Sequence, residues 1–277
     1  MKTKLKLWII FTLLGISFNI HAQQSKTPFI KKAEGDIYIE YSSLYKEDSL
    51  RTNHQYAELF LLIGQEMSMF TDKNMYEFLK AENKQIEIQP NLWGLKPEWN
   101  DKLDRAGFMF VINKNYFLQK LYFYERIMPT DFMYEEKLYD FNWKLTNERQ
   151  EIMGYHCQKA VCEYGGRIWI AWFSYELPYN DGPYKFGGLP GLIVKLYDSK
   201  EYYIFEMQSI ERLVEPANIE IRDVEYVKTN RSNFLKAQEG FKKSIVSHAQ
   251  TAQIQSNETL RTIAKNVNKL NNPIELE

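Results

Sequence analysis

His156 and Cys157 stand side by side, and a thiol next to an imidazole suggests nucleophilic catalysis. The segment around them reads as a strand. Adjacent strand residues point to opposite faces, so His156 is badly placed to activate Cys157, and burial of the thiol in a core is the favoured reading. Glu148 and Arg149 fit solvated charges at a strand end better than an acid–base pair. His54, His156 and His248 lack any metal-binding spacing, and Met67-x-Met69 is a weak hint of a soft-metal site. Arg167 suits an ion pair or hydrogen bond that supports a hairpin. No nucleophile, base and orienting group come together in the sequence. The expectation is no catalytic residue, no metal and no cofactor.

Binding is the remaining chemistry, and one segment stands out for it. Leu177 to Gly191 holds Pro178, Pro183 and Pro190 with Gly182, Gly187, Gly188 and Gly191. Loops of this length without regular structure are uncommon in compact domains and are often functional. The segment also carries Tyr179, Tyr184 and Phe186, which are the candidate residues for gripping a ligand or a partner chain. The alternative is a structural plug at one end of a sheet. Pro190-Gly191 fits the central positions of a type II turn, with Leu189 and Leu192 flanking it and Leu192-Ile193-Val194 continuing as a strand.

The elements that position this loop are mostly strands. Asp36–Tyr41 alternates as a strand, Tyr56–Phe70 is a longer apolar stretch broken by Gly64, and Met75–Lys80 suits a short helix. Ala81–Ala106 is a polar excursion carrying Trp93 and Trp99. Strand signals follow at Phe108–Ile112, Tyr116–Arg126, Met133–Leu138 and Trp143–Ile152. Tyr155–Tyr164 and Arg167–Ser174 form a hairpin around Gly165-Gly166. Leu192–Asp198 and Tyr202–Leu213 form another, and Ile219–Tyr226 is a last strand. Phe234, Ala237, Phe241 and Ile245 recur at helical spacing in a tail that ends in Asn271-Asn272-Pro273-Ile274-Glu275-Leu276. The expected fold is mainly β: a single curved antiparallel sheet or half-barrel followed by a C-terminal helix, similar to lipoprotein-carrier folds.

Lys2, Lys4 and Lys6 precede an apolar run from Leu7 to Ile20, and Ile20-His21-Ala22 offers a cleavage site before Gln23. The expected organisation is therefore a signal peptide at 1–22, a flexible lead-in at 23–35, a β domain at 36–227, and a helix with tail at 228–277. No Cys lies near the cleavage site, so export without a lipid anchor is expected, to the periplasm or the exterior. No later stretch is long and apolar enough to span a membrane. Without the leader's three lysines, 32 basic residues face 36 acidic ones, a net charge of −4 that argues against nucleic acid as a partner. Aromatics make up 15% of the chain, in keeping with a strand-rich core. Cys157 and Cys162 lie roughly 16 Å apart if both sit in one regular strand, too far for a disulfide.

An ordered set of motifs gives a more specific signal. Trp143-x-Leu145, Glu148, Ile152 and Gly154-Tyr155-x-Cys157-x-Lys159-Ala160 come first, followed by Gly166-Arg167-x-Trp169-x-Ala171-Trp172. Pro178, Gly182-Pro183-x-Lys185-Phe186 and Gly188-Leu189-Pro190-Gly191-Leu192-Ile193 complete the run. In order and spacing this resembles the GLPGLI family, and the Asn272-Pro273-Ile274-Glu275-Leu276 ending is similar to that family's close. The resemblance implies an exported protein and brings no activity with it. Two roles fit: a non-enzymatic periplasmic binding or carrier module for an apolar or peptide ligand, and an accessory interaction protein of an outer-membrane transport or envelope system that uses the 177–191 loop.

Overall fold

In a computed structural model, the described residues are 29–88, 97–127, 129–251, 267 and 270–276. The expected signal peptide at 1–22 lies outside them, as do Trp93 and the start of the lead-in. One open, curved sheet of twelve strands organises the chain. Its strands are β1 (Phe29–Tyr45), β2 (Gln55–Ile63), β3 (Met67–Asp72), β4 (Val111–Asn115), β5 (Lys120–Ile127), β6 (Thr130–Lys137), β7 (Lys144–Ile152), β8 (Tyr155–Tyr164), β9 (Arg167–Ser174), β10 (Leu192–Asp198), β11 (Tyr203–Arg222) and β12 (Val227–Thr229). The helices are α1 (Lys73–Ile88), α2 (Pro97–Arg105) and α3 (Arg231–Thr251). Spatial order runs β12-β6-β5-β4-β3-β2-β1-β11-β10-β9-β8-β7, so two meanders meet where β1 pairs with β11.

Alternation explains which face is buried. In β1, Ile37, Ile39, Tyr41, Ser43 and Tyr45 point into the core while their neighbours are partly or fully exposed. The main core lies on this side and draws on β1 to β6 and β8 to β11. A smaller cluster of Phe60, Leu62, Met67, Met69 and Ile219 covers the other face, where Tyr76 of α1 packs against it. Asp72 starts α1 by accepting from the Met75 amide at 2.9 Å, and Asn230 caps α3 through the Asn233 amide at 2.9 Å. Met67 and Met69 are core residues, which leaves the soft-metal hint without support.

Several details depart from the sequence reading, among them the helix that continues to Ile88 and the helix Pro97–Arg105, both within the expected polar excursion. Phe29–Gly35 continues β1 and pairs with Ala217–Arg222, so this part of the expected lead-in is strand. Ile219–Arg222 belongs to the long β11 rather than to a separate strand, because a bulge between Arg212 and Ala217 lets the chain protrude and then resume pairing. The 56–70 stretch is a hairpin, β2 and β3, rather than one strand. The short β12 pairs in parallel with β6, so the sheet is antiparallel except at that edge. The expected helix after the sheet is α3.

Candidate functional site

The segment between β9 and β10 does not stand out from the protein. Its central part, Asp181–Gly187, is buried against the core on the inner face of the sheet, while Tyr175, Pro178, Asn180, Gly188 and Pro190 stay exposed. Tyr184 is 2% exposed and Phe186 is 0% exposed, while Tyr179 is half-buried. The expectation of displayed aromatics is therefore corrected for two of the three residues. The reason is packing: the concave face is lined with rings, and Phe186 fills their centre. Its ring lies 4.8 Å from Phe141 and 4.8 Å from Trp169, and 5.6 Å from Tyr164. Tyr184 meets Phe110 edge-on at 5.3 Å.

Two buried lysines anchor the segment. Lys114 of β4 reaches Asp181 at 2.5 Å and also donates to the carbonyls of Gly182 and Phe186 at 2.8 and 2.7 Å. The other oxygen of Asp181 accepts from Ser68 and from Tyr116, each at 2.6 Å. Burial lowers the Lys114 pKa, against the opposing pull of Asp181. A charge in such a place must be paired and fully hydrogen-bonded, and this one is.

Lys185 lies between these anchor points and enters a second cluster. Its ammonium contacts Glu136 at 2.6 Å, Glu275 at 2.7 Å, and the hydroxyls of Tyr134 and Tyr164 at 2.9 and 3.0 Å. Four rings surround it, those of Phe123, Tyr134, Tyr164 and Tyr184, with centroids 4.9–5.6 Å away. Glu275 also accepts from Tyr184 and pairs with Arg231. Burial alone would raise the Glu275 pKa, but Lys185 and Arg231 outweigh it and hold the carboxyl below its usual range.

Arg167 ties the same region together. It pairs with Asp198 at 3.1 Å and donates to Asn272 Oδ1 at 2.6 Å and to the carbonyls of Pro273 and Ile274 at 2.6 and 3.0 Å. The expected hairpin-supporting role is thus widened. The arginine joins the β8–β9 turn to a remote segment.

The glycines follow from close approach. A side chain on Gly187 would meet the Tyr139 ring at 2.2 Å, and one on Gly191 would meet the Ser174 carbonyl oxygen at 2.1 Å. The Pro190-Gly191 turn differs from the expected type II form. The Gly191 amide bonds back to Leu189 at 2.8 Å, a three-residue turn centred on Pro190, and the Leu192 amide goes to Leu177 at 3.0 Å. Pressing Gly191 against β9 leaves no room for the wider turn. Leu189, Leu192 and Ile193 are core residues, whereas Gly188 and Pro190 remain exposed.

The catalytic candidates are not brought together. Cys157 and Cys162 are buried free thiols within β8, and burial pushes them up to about 11 and about 12 respectively. His156 is exposed, and both its amide and its ring bond Glu176, at 3.0 and 2.8 Å. Glu148 pairs with Lys159 at the surface. Among the described residues no group of three or more His, Cys, Asp or Glu is arranged to hold a metal. Sequence reasoning passed over Lys114, Asp181, Lys185 and Glu275. The signal was present in Lys185 within the motif and in Glu275 within the closing segment, but their pairing was not visible along the chain.

The family described as "Protein of unknown function (Porph_ging)" matches residues 165–195, from the β8–β9 turn through the β9–β10 loop into β10. No curated protein matches. Two crystal structures of PNGF-II, in the P21 and C2 space groups, superpose on the chain with a TM-score of 0.51 in each case, at 13% and 14% identity. They cover 75% and 76% of this chain but 34% of PNGF-II, so the chain spans about a third of that protein's length. A DUF1329 family protein from Desulfovibrio piger ATCC 29098 aligns at 8% identity over 66% of this chain and 88% of its own, with a TM-score of 0.22. At these identities the PNGF-II likeness concerns the fold alone: a curved, strand-rich sheet that recurs within a larger protein.

Proposed function

We propose that this chain is an exported, GLPGLI-like binding module without catalytic function. In this reading it recognises an envelope protein or peptide at its surface and does not carry an apolar molecule inside. The observation that supports surface recognition is the filled concave face. Where a carrier would shelter its cargo, Tyr184, Phe186 and Leu189 occupy the space.

Exposed apolar groups such as Leu50 and Tyr56 lie elsewhere, but five gather at one end of the sheet. Phe117 and Leu118 cap the β4–β5 turn, Met153 caps the β7–β8 turn, Tyr175 follows β9, and Val214 stands on the β11 bulge. The strand registers put these turns at the same end of the sheet. Such tips are what a protein-recognition rim presents.

The test is capture from the native envelope with the wild-type chain and with a Phe117→Ser, Tyr175→Ser double variant. A partner held by the first and lost by the second, at unchanged melting temperature, supports the reading. Stoichiometric uptake of a lipid or apolar dye by the delipidated protein would instead return the carrier role.

A further inference from the structure

On the face of the sheet away from the main core, one row of side chains is apolar across six strands. Tyr56 of β2 stands opposite Leu44 of β1, and Leu44 opposite Ile204 of β11. Ile204 stands opposite Tyr197 of β10, Tyr197 opposite Ile170 of β9, and Ile170 opposite Val161 of β8. The intervening residues, among them Ser43, Phe205, Leu196 and Ala171, point the other way and are buried. Tyr56 is 55% and Leu44 40% exposed, and the other four members of the row are partly exposed. The described helices pack elsewhere, α1 on β2 and β3 and α3 on β5 and β6. A continuous apolar strip of this kind marks an interaction surface.

The next row on the same face carries charge in a definite order. From β2 to β8 it reads Glu58, Ser42, Glu206, Lys195, Trp172 and Lys159, with the acids on the β2 side and the bases on the β8 side. Lys195 reaches Glu206 at 3.2 Å and Lys159 reaches Glu148 of β7 at 2.9 Å. Each pair is partly exposed and worth little by itself.

This order matches itself on rotation. A two-fold axis along the strands, between β10 and β11, exchanges β11 with β10, β1 with β9 and β2 with β8. Glu206 then faces the partner's Lys195, and Glu58 faces the partner's Lys159. Ile204 meets the partner's Tyr197, and Leu44 meets the partner's Ile170. The two Lys195–Glu206 pairs form a square of alternating charge at the centre of the patch, where two bowed sheets touch most closely. Five strand spacings make the row about 24 Å wide. With its flanking rows the face offers on the order of 700 Å² per copy, close to what a standard interface takes from each partner.

We propose that this face pairs with the same face of a second copy of this chain, giving a two-fold dimer of stacked sheets. An acid-to-base order that complements itself selects a second copy over a partner of one sign. The face adjoins the end of the strands opposite the rim assigned above. The dimer leaves that rim free, and the proposal does not rest on the function argued from it.

Sedimentation velocity of the protein at concentrations up to about 0.1 mM should show a dimer. Leu44→Glu, at an exposed position, should give a monomer that is folded by circular dichroism. Lys195→Glu and Glu206→Lys each set like charges against one another across the two-fold, and each should weaken dimerisation at least about tenfold. An equimolar mixture of these two variants should restore the dimer, because each presents the sign that the other lacks. Both variants break the same pair within the chain, and neither can repair the other's fold, so restoration on mixing reports the interface alone. A protein that stays monomeric throughout the range overturns the proposal and leaves the strip to a different occupant. A dimer that survives Leu44→Glu also overturns it, as does a mixture of charge variants that dimerises no better than either alone.

Discussion

The ammonium of Lys185 lies 2.7 Å from the carboxylate of Glu275, and both side chains are withdrawn from water. This pair joins the motif loop to the segment at the far end of the described chain. Removing one partner leaves the other charge buried. Lys185→Met should therefore cost about 3–5 kcal/mol, read as a lower urea midpoint at unchanged slope. Because the Glu275 carboxyl is held below its usual range, the wild-type contribution is present above the unfolded-state pKa and fades as the pH falls through the folded one. The variant's deficit should shrink in acid. A neutral effect of Lys185→Met at pH 7 would mean that the pair does not form.

Phe186 and Tyr184 are predicted to matter for stability, not for direct contact with a partner. Phe186→Ala should destabilise by about 3–5 kcal/mol, since the ring is fully enclosed by others. Tyr179→Ala, at a half-buried position, should stay within about 1 kcal/mol and is the member of the three that can report on binding without unfolding. Thermal melts of the two variants decide between these roles.

Cys157 and Cys162 should resist modification in the folded state. Both are buried, with thiols raised to about 11 and about 12, so little thiolate exists at pH 8. A thiol reagent should label neither within the time that labels both in 6 M guanidinium chloride. Rapid labelling of Cys157 in native protein would show that β8 opens at its start.

Glu125 gives the opposite pH sign from Glu275. It faces α3, where the Gln238 side-chain amide donates to it at 3.0 Å, and burial pushes its carboxyl up to about 7. A carboxyl raised on folding stabilises the fold below its unfolded pKa, and that contribution is lost as the pH rises through the folded value. Lys242 partly offsets the penalty. Glu125→Gln keeps an acceptor for Gln238 and cannot ionise. It should gain about 1–2 kcal/mol over wild type at pH 8 and little at pH 4, allowing for the side chain's partial exposure. Parallel stability curves for the two proteins from pH 4 to 8 would exclude this.

Local rules made much of the sheet legible. The hairpin of β8 and β9 follows from two apolar runs around Gly165-Gly166, and its bounds match the expectation. Helical spacing from Phe234 to Ile245 places α3, and the chain's prolines and glycines mark the loop between β9 and β10. These signals act over a few residues, where backbone sterics and side-chain periodicity are decided.

The loop's role was not legible, because its neighbours come from elsewhere in the chain. Tyr184 and Phe186 read as exposed when only their proline- and glycine-rich surroundings are considered. They are buried because Phe110, Phe141 and the Tyr164 and Trp169 pair of the β8–β9 hairpin converge from three separate places in the sequence. Nothing along the chain marks Asp181 and Lys185 as buried charges, because their partners, Lys114 on one side and Glu136 and Glu275 on the other, are distant in sequence. The amino-acid sequence alone determined a β-rich chain with a rigid loop. Tertiary structure decided that the loop is interior, because burying a charge becomes tolerable only when a partner from a distant strand arrives with the right sign and geometry.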